Sequence, residues 1–269
     1  GTYTVTATGG PTNGAYTGLT AENLAAGKFT LDSSVTSIAN TDAKAGTPAA
    51  NAKIKIDTKL GTVTPTASSL NLYGVDIDTV TSDKNVAVNA YSAVAKTNAN
   101  IPTSIGTIET AGAVTVGNTD TAKNYDTIKV DTIKADNVTV STNKAEIGAI
   151  TAKKTANTVT TNTEKGIRLP ALKDYKILIN TDTTVASVAG TKDATIKDGV
   201  TLTVNGTADF NSVTSSTASK GILAIDAGKL TLSKAASSKF TLALTDVKAG
   251  ETAFIAKDAK KGDYTSNTT

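Results

Sequence analysis

The chain has 269 residues, 39% of them hydrophobic and only 4% aromatic, with a formal net charge of +3 and no Cys, His, Met or Trp. That composition removes the usual general base near neutral pH, the strongest side-chain nucleophile and the nitrogen and sulfur ligands of zinc. It leaves a core that must be assembled from Val, Ile, Leu and Ala, and a surface rich in Thr, Asn, Asp and Lys.

Taken from the N-terminus, Tyr3-Thr4-Val5-Thr6-Ala7 alternates apolar and polar residues and predicts a strand, followed by Gly9-Gly10-Pro11 as a hinge. Thr20 to Gly27 predicts one or two turns of helix, with Thr20 as N-cap, Glu22 in the first turn and Gly27 just past the end. Residues 39–52 are small and polar and read as a loop, so the chain divides into an N-terminal strand, helix and linker region (1–52), a β-rich core (53–250) and a polar tail (251–269).

Within the core, short strands are predicted at Ile54–Asp57, Val114–Val116, Val138–Val140, Lys176–Ile179, Thr201–Val204, Leu230–Leu232 and Phe240–Leu244. Asn13-Gly14, Asp198-Gly199, Asn205-Gly206 and Ala227-Gly228 mark turns in which Gly is expected to supply positive φ. Apolar pairs return at intervals of about 18 to 30 residues, the signature of a stacked repeat. The run Ala194-Thr195-Ile196-Lys197-Asp198-Gly199-Val200-Thr201-Leu202-Thr203-Val204, continued by Gly221–Ile225 and Lys229–Ser233, resembles the rungs of secreted parallel β-helices. The resemblance implies an all-β fold, a right-handed β-solenoid with an N-terminal β extension. The competing fold is one or two β-sandwich domains of Ig-like or jelly-roll type, which also use short strands but normally bury large aromatics. Solenoid rungs need only stacked aliphatics, which this chain has.

Several constellations carry a chemical reading. Asp76 and Asp78 sit at i, i+2 and could place two carboxyls on one strand face, as a glycosidase requires. Val75 and Ile77 provide the buried face, so the plainer reading is a solvated acidic edge. The triplet Asn-Thr-Asp at Asn40, Asn118 and Asn180 resembles one element of polygalacturonase active sites, but that family also needs a His that this chain lacks. Pectate-lyase chemistry needs an Arg base and clustered carboxylates for calcium; Arg168, the only arginine here, lies between Ile167 and Leu169 before Pro170 and is expected to be a connector residue covering apolar surface with its stem. Asp193 and Asp198 are the best oxygen-ligand candidates for calcium, and no other cofactor is implied. Tyr16, Tyr73, Tyr91, Tyr125 and Tyr175 are the side chains from which a sugar-binding platform would have to be built. Asn137-Val138-Thr139, Asn205-Gly206-Thr207 and Asn267-Thr268-Thr269 match the N-glycosylation pattern.

The lysines are dispersed and the aromatics few, so no nucleic-acid surface is expected. No apolar run approaches the roughly 20 residues that span a bilayer as a helix. A Thr/Ala/Asn/Lys-rich, Cys-free chain of short strands is similar to the surface-layer and secreted-filament subunits of prokaryotes. That resemblance implies an extracellular, non-enzymatic structural protein whose partners are copies of itself, with cell-wall or matrix polysaccharide as a further partner. The N-terminal segment Tyr3, Thr4, Val5, Thr6 and Ala7 is the candidate assembly strand, able to add to the sheet of a neighbouring subunit. An adhesin or carbohydrate-binding module is the alternative, and a polysaccharide-degrading β-helix enzyme a third reading.

Overall fold

In the computed structural model, residues 2–5, 21–39, 59–89, 102–119, 127–154, 157–217, 220–226, 228–234, 238–245 and 254–256 are described. The regular structure of the described residues is all strand apart from one five-residue helix, and the strand pairs are parallel. Parallel pairing without long helical crossovers requires the chain to wind: each coil lays its strands directly on those of the coil before it. The fold is therefore solenoid-like, as the rung pattern predicts, and the sandwich alternative falls away because sandwiches pair their strands antiparallel. The chain separates into two compact units, one built mainly from residues 1–138 and one mainly from residues 149–269.

In the first unit, β1 (Thr2–Val5), α1 (Ala21–Ala25), β2 (Lys28–Leu31) and β3 (Ser37–Ala39) precede β4 (Leu60–Pro65) and β5 (Ser69–Tyr73). They are followed by β6 (Asp76–Ser82), β7 (Asn85–Asn89), β8 (Thr103–Thr110), β9 (Ala113–Val116) and β10 (Ile128–Lys134). The strands stack in two rows, β1-β2-β4-β6-β8-β10 and β3-β5-β7-β9. Because parallel strands in register bring like positions over one another, the inward residues form columns. One column runs Phe29, Val63, Val80, Ile108, Ile133, and all five are buried. A second, Ile38, Leu72, Val88, Val116, lines the other row and is equally buried. The outward neighbours stack too, as the half-buried Thr62, Thr79, Thr107 and Thr132. The β-branched side chain suits both faces: Val and Ile fill the inside, and Thr presents the same shape with a hydroxyl outside.

The residues of β11 (Asn137–Val140) and β12 (Ala145–Thr151) are divided between the units. The second unit continues with β13 (Thr158–Thr161), β14 (Ile167–Leu169), β15 (Leu172–Lys173), β16 (Lys176–Ile179), β17 (Thr183–Val185) and β18 (Val188–Ile196). It ends with β19 (Thr201–Val204), β20 (Ala208–Ser215), β21 (Ile222–Asp226), β22 (Leu230–Leu232), β23 (Thr241–Thr245) and β24 (Phe254–Ala256). One row is β14-β17-β19-β21-β23; the other holds β13-β16-β18-β20-β22-β24, with β15 also on β18. Val185 lies over Leu169, sixteen residues before it, while Val204 is nineteen residues beyond Val185 and Ile225 twenty-one beyond Val204. These steps are one coil each. The strand β18 bonds β15 through its start and β16 through its end, with register shifts between, so it bends and serves two sides of the coil.

The predicted short helix is present as α1, with its last turn closed by Ala26 N–H donating to the Glu22 carbonyl. The strands expected at Val114, Val138, Lys176, Thr201, Leu230 and Phe240 are β9, β11, β16, β19, β22 and β23; the one expected at Ile54–Asp57 lies outside the described residues. Hydrogen-bonded rungs also occur on either side of the 53–250 core: β2 and β3 pair with β4 and β5, and β24 pairs with β22.

Candidate functional site

The candidate assembly strand begins as β1, which is hydrogen-bonded along one edge to β2 of its own chain: Tyr3 lies beside Phe29, Thr4 beside Thr30 and Val5 beside Leu31. Thr6 and Ala7 lie outside the described residues. Within the chain, then, β1 is a rung and not a detached arm. Its second edge, facing away from β2, has no partner among the described strands. In the other unit β23 pairs only with β21, and β24 only with β22, so each also has one edge without a partner among the described strands. A parallel rung edge carries a row of backbone N–H and C=O groups aimed along the stacking direction, and such a row accepts another strand.

Asp76 and Asp78 are both exposed on the outer face of β6. Asp78 is ion-paired to Lys59 Nζ at 3.2 Å and accepts from the Thr79 hydroxyl at 3.3 Å. The registers of β4, β6, β8 and β10 all skip one level, occupied by Gly61, Asp78, Gly106 and Asp131 in turn. On β6 the inward residues flanking this level, Ile77 and Val80, are three apart instead of two, which bends the strand. A Cβ on Gly106 would lie 2.5 Å from the Asp78 carbonyl oxygen, and one on Gly148 would lie 2.5 Å from that of Asp131. Side chains and glycines thus alternate from coil to coil up this corner. Each aspartate has a lysine at hand, Asp78 with Lys59 and Asp131 with Lys129 at 3.6 Å.

Asp193 sits at the irregular middle of β18, where Asn211 Nδ2 and Ser212 Oγ of the next coil each donate to its Oδ1 at 2.7 Å. Partial burial pushes its pKa up, but those two hydrogen bonds and the field of Lys176 and Lys234 outweigh it and hold the carboxyl below its ordinary value. Asp198 accepts from the Thr217 hydroxyl and from the Lys220 N–H at 3.4 Å. The two aspartates are thus each occupied by donors from the neighbouring coil, and no group of three or more acidic ligands gathers among the described residues. Of the Asn-Thr-Asp asparagines, Asn180 donates to Asn162 Oδ1 at 2.8 Å, forming a side-chain step between coils; Asn40 lies outside the described residues.

Arg168 is not a connector. It is the exposed central residue of β14, between buried Ile167 and Leu169, and it pairs with Thr184. The alternation that made it look like a cover for apolar surface is the alternation of a strand too short to stand out. Two of the five tyrosines considered for a sugar platform are inside: Tyr175 is 1% exposed and Tyr73 is 9% exposed, and burial raises the Tyr73 pKa. Tyr16, Tyr91 and Tyr125 lie outside the described residues.

The turn glycines divide by cause. Gly199 has φ of +73° with open space around its missing side chain, as expected for Asp-Gly. Gly206 and Gly228 do not have positive φ; they are needed because coils approach closely at that corner. A Cβ on Gly228 would stand 2.1 Å from the Gly206 carbonyl oxygen, and one on Gly206 would stand 2.9 Å from that of Ala186. Positive φ outside glycine occurs at Thr163 and Asp174 among the described residues. No helix among the described residues is long and apolar enough to cross a membrane. Compared with protein-family models, curated proteins and solved structures, the chain matches none.

Proposed function

We propose that this chain is a self-assembling structural protein of the cell exterior, a subunit of a surface filament or layer whose partners are copies of itself. The observation that carries the reading is that sheets end in rung edges without a partner among the described strands, at β1 and β3 in one unit and at β14, β23 and β24 in the other, with β12 ending a sheet as well. A contact between the β1 edge of one copy and a β23 or β24 edge of the next joins two different surfaces. Such a head-to-tail contact leaves a free edge at each end of the pair and, where the rotation per copy does not close a ring, generates a fibre. The interior supports the same role, since a core of aliphatic columns flanked by Thr ladders extends by repetition without a unique centre. β1 contributes as the terminal rung, extending the sheet of its own chain and offering its outer edge to a neighbour. The composition supports an exterior location, because a chain without Cys, Met or Trp has little to lose to oxidation.

Negative-stain electron microscopy of the purified protein over a concentration series tests the proposal. Fibres or sheets that lengthen with concentration are expected, and monodisperse single particles at the highest concentration would count against it. A charged residue on an edge strand, Ala243→Lys in β23, is expected to shorten or abolish the polymer with the monomer fold unchanged by circular dichroism, because lysine on an edge opposes strand addition.

A further inference from the structure

Asparagines of this fold commonly commit the carboxamide nitrogen to a hydrogen bond, mostly to another coil and once, at Asn89, within its own strand. Asn71, Asn89, Asn143, Asn157, Asn180 and Asn211 all donate an Nδ2 hydrogen bond, to Thr36 O, Ala87 O, Lys165 O, Asp174 O, Asn162 Oδ1 and Asp193 Oδ1. Asn137 and Asn205 break this habit. Both are exposed, and neither carboxamide has a hydrogen-bond partner among the described residues. These are also the two described asparagines that are followed two residues later by Thr, as Asn137-Val138-Thr139 and Asn205-Gly206-Thr207. The second of them follows β19 at a corner of the coil: Asn205 and Thr207 are exposed and Gly206 between them is half-buried, and among the described residues Asn205 is held through its backbone N–H, which donates to the Val185 carbonyl at 3.0 Å.

We propose that Asn205 and Asn137 are acceptor sites for an N-linked glycan. The donor is a polyprenyl-diphosphate-linked oligosaccharide. The carboxamide nitrogen attacks the anomeric carbon of the first sugar and forms the N–C1 bond. The C1–O bond to the diphosphate breaks, the amide gives up one proton, and polyprenyl diphosphate leaves. The Asn-x-Ser/Thr pattern is required, with x other than Pro, and both chains of residues meet it. The nitrogen must be accessible and not already committed to the fold, which is the property that separates these two asparagines from the six above. At Asn205 the point of attachment is exposed, while Val204 before it and Ala208 beyond Thr207 are buried. The inference rests on the exterior location proposed above but not on assembly.

The test is transfer to the purified folded chain by a single-subunit oligosaccharyltransferase that requires only Asn-x-Ser/Thr, with a polyprenyl-diphosphate-linked oligosaccharide as donor and glycopeptide mass spectrometry as readout. Glycan is expected on both the Asn137 and Asn205 peptides. Asn137→Gln and Asn205→Gln should each remove one glycan, and Thr207→Val should abolish transfer at Asn205 while circular dichroism stays unchanged. A folded chain that takes glycan at neither position, or only after denaturation, would overturn the proposal; glycan at one alone would overturn it for the other. Because transfer is read on the purified chain whatever its polymer state, this result and the microscopy result stand or fall separately.

Discussion

At the scale of the residue, the molecule depends on positions where a side chain has no room and on a few where a charge is held by the next coil. Gly228→Ala places a Cβ against the Gly206 carbonyl, a backbone atom that cannot swing aside. The expected cost is about 2 kcal/mol or more, of the size seen for overpacking. Gly199→Ala meets no atoms but must take positive φ, so about 1 kcal/mol is expected. Urea denaturation of the two variants should therefore rank Gly228→Ala as the more damaging. Asp193 supplies a pH dependence. Its pKa is lowered on folding, so its stabilisation is fully present above the ordinary aspartate value of about 3.9 and is lost as pH falls through the depressed folded value. The melting temperature of the native chain should exceed that of Asp193→Asn at pH 6, and the gap should narrow as pH falls below about 4. A gap that stays constant down to strong acid would show that Asp193 is not held as a carboxylate.

At the scale of the element, stability resides in the stacked columns and not in the exposed ion pairs. Ile108 lies between Val80 and Ile133 and is fully buried. Ile108→Ala should cost about 3 kcal/mol and Ile108→Val about 1 kcal/mol, measured by chemical denaturation. Thr107→Val, one residue away on the outer face, should change stability by less than about 0.5 kcal/mol. Lys59→Ala, which removes the exposed partner of Asp78, should likewise fall within about 1 kcal/mol. The strands were legible in the sequence because alternation of Val, Ile or Leu with Thr has a period of two, and the parallel stacking because apolar pairs return once per coil. The corners were not. Gly61, Gly106 and Asp78 look like unrelated residues until coil lengths of unequal size bring them to one level, and no local pattern encodes that register. The same holds for Gly206 and Gly228, whose Asn-Gly and Ala-Gly contexts suggest positive φ when the real constraint is a neighbour from another coil. Arg168 is hard to place from sequence for a related reason: β14 is three residues long, a single buried–exposed–buried alternation followed by Pro170.

At the scale of the whole molecule, the account is that rungs which pair within the chain also pair between chains. Tyr3, Thr4 and Val5 of the candidate assembly strand pair with β2 of their own chain, so the proposed contact with a neighbour runs through the edge of β1 that faces away from β2. An edge contact has a distinct signature, since it adds backbone hydrogen bonds at the strand spacing of about 4.8 Å and preserves the rung repeat across the junction. The most direct measurement is sedimentation velocity of the purified chain over a hundredfold range of concentration, with electron microscopy of the same samples. The account predicts a weight-average sedimentation coefficient that rises continuously with concentration, a rise suppressed in Ala243→Lys, and elongated particles on the grid. A single species with the mass of one chain at every concentration would contradict it.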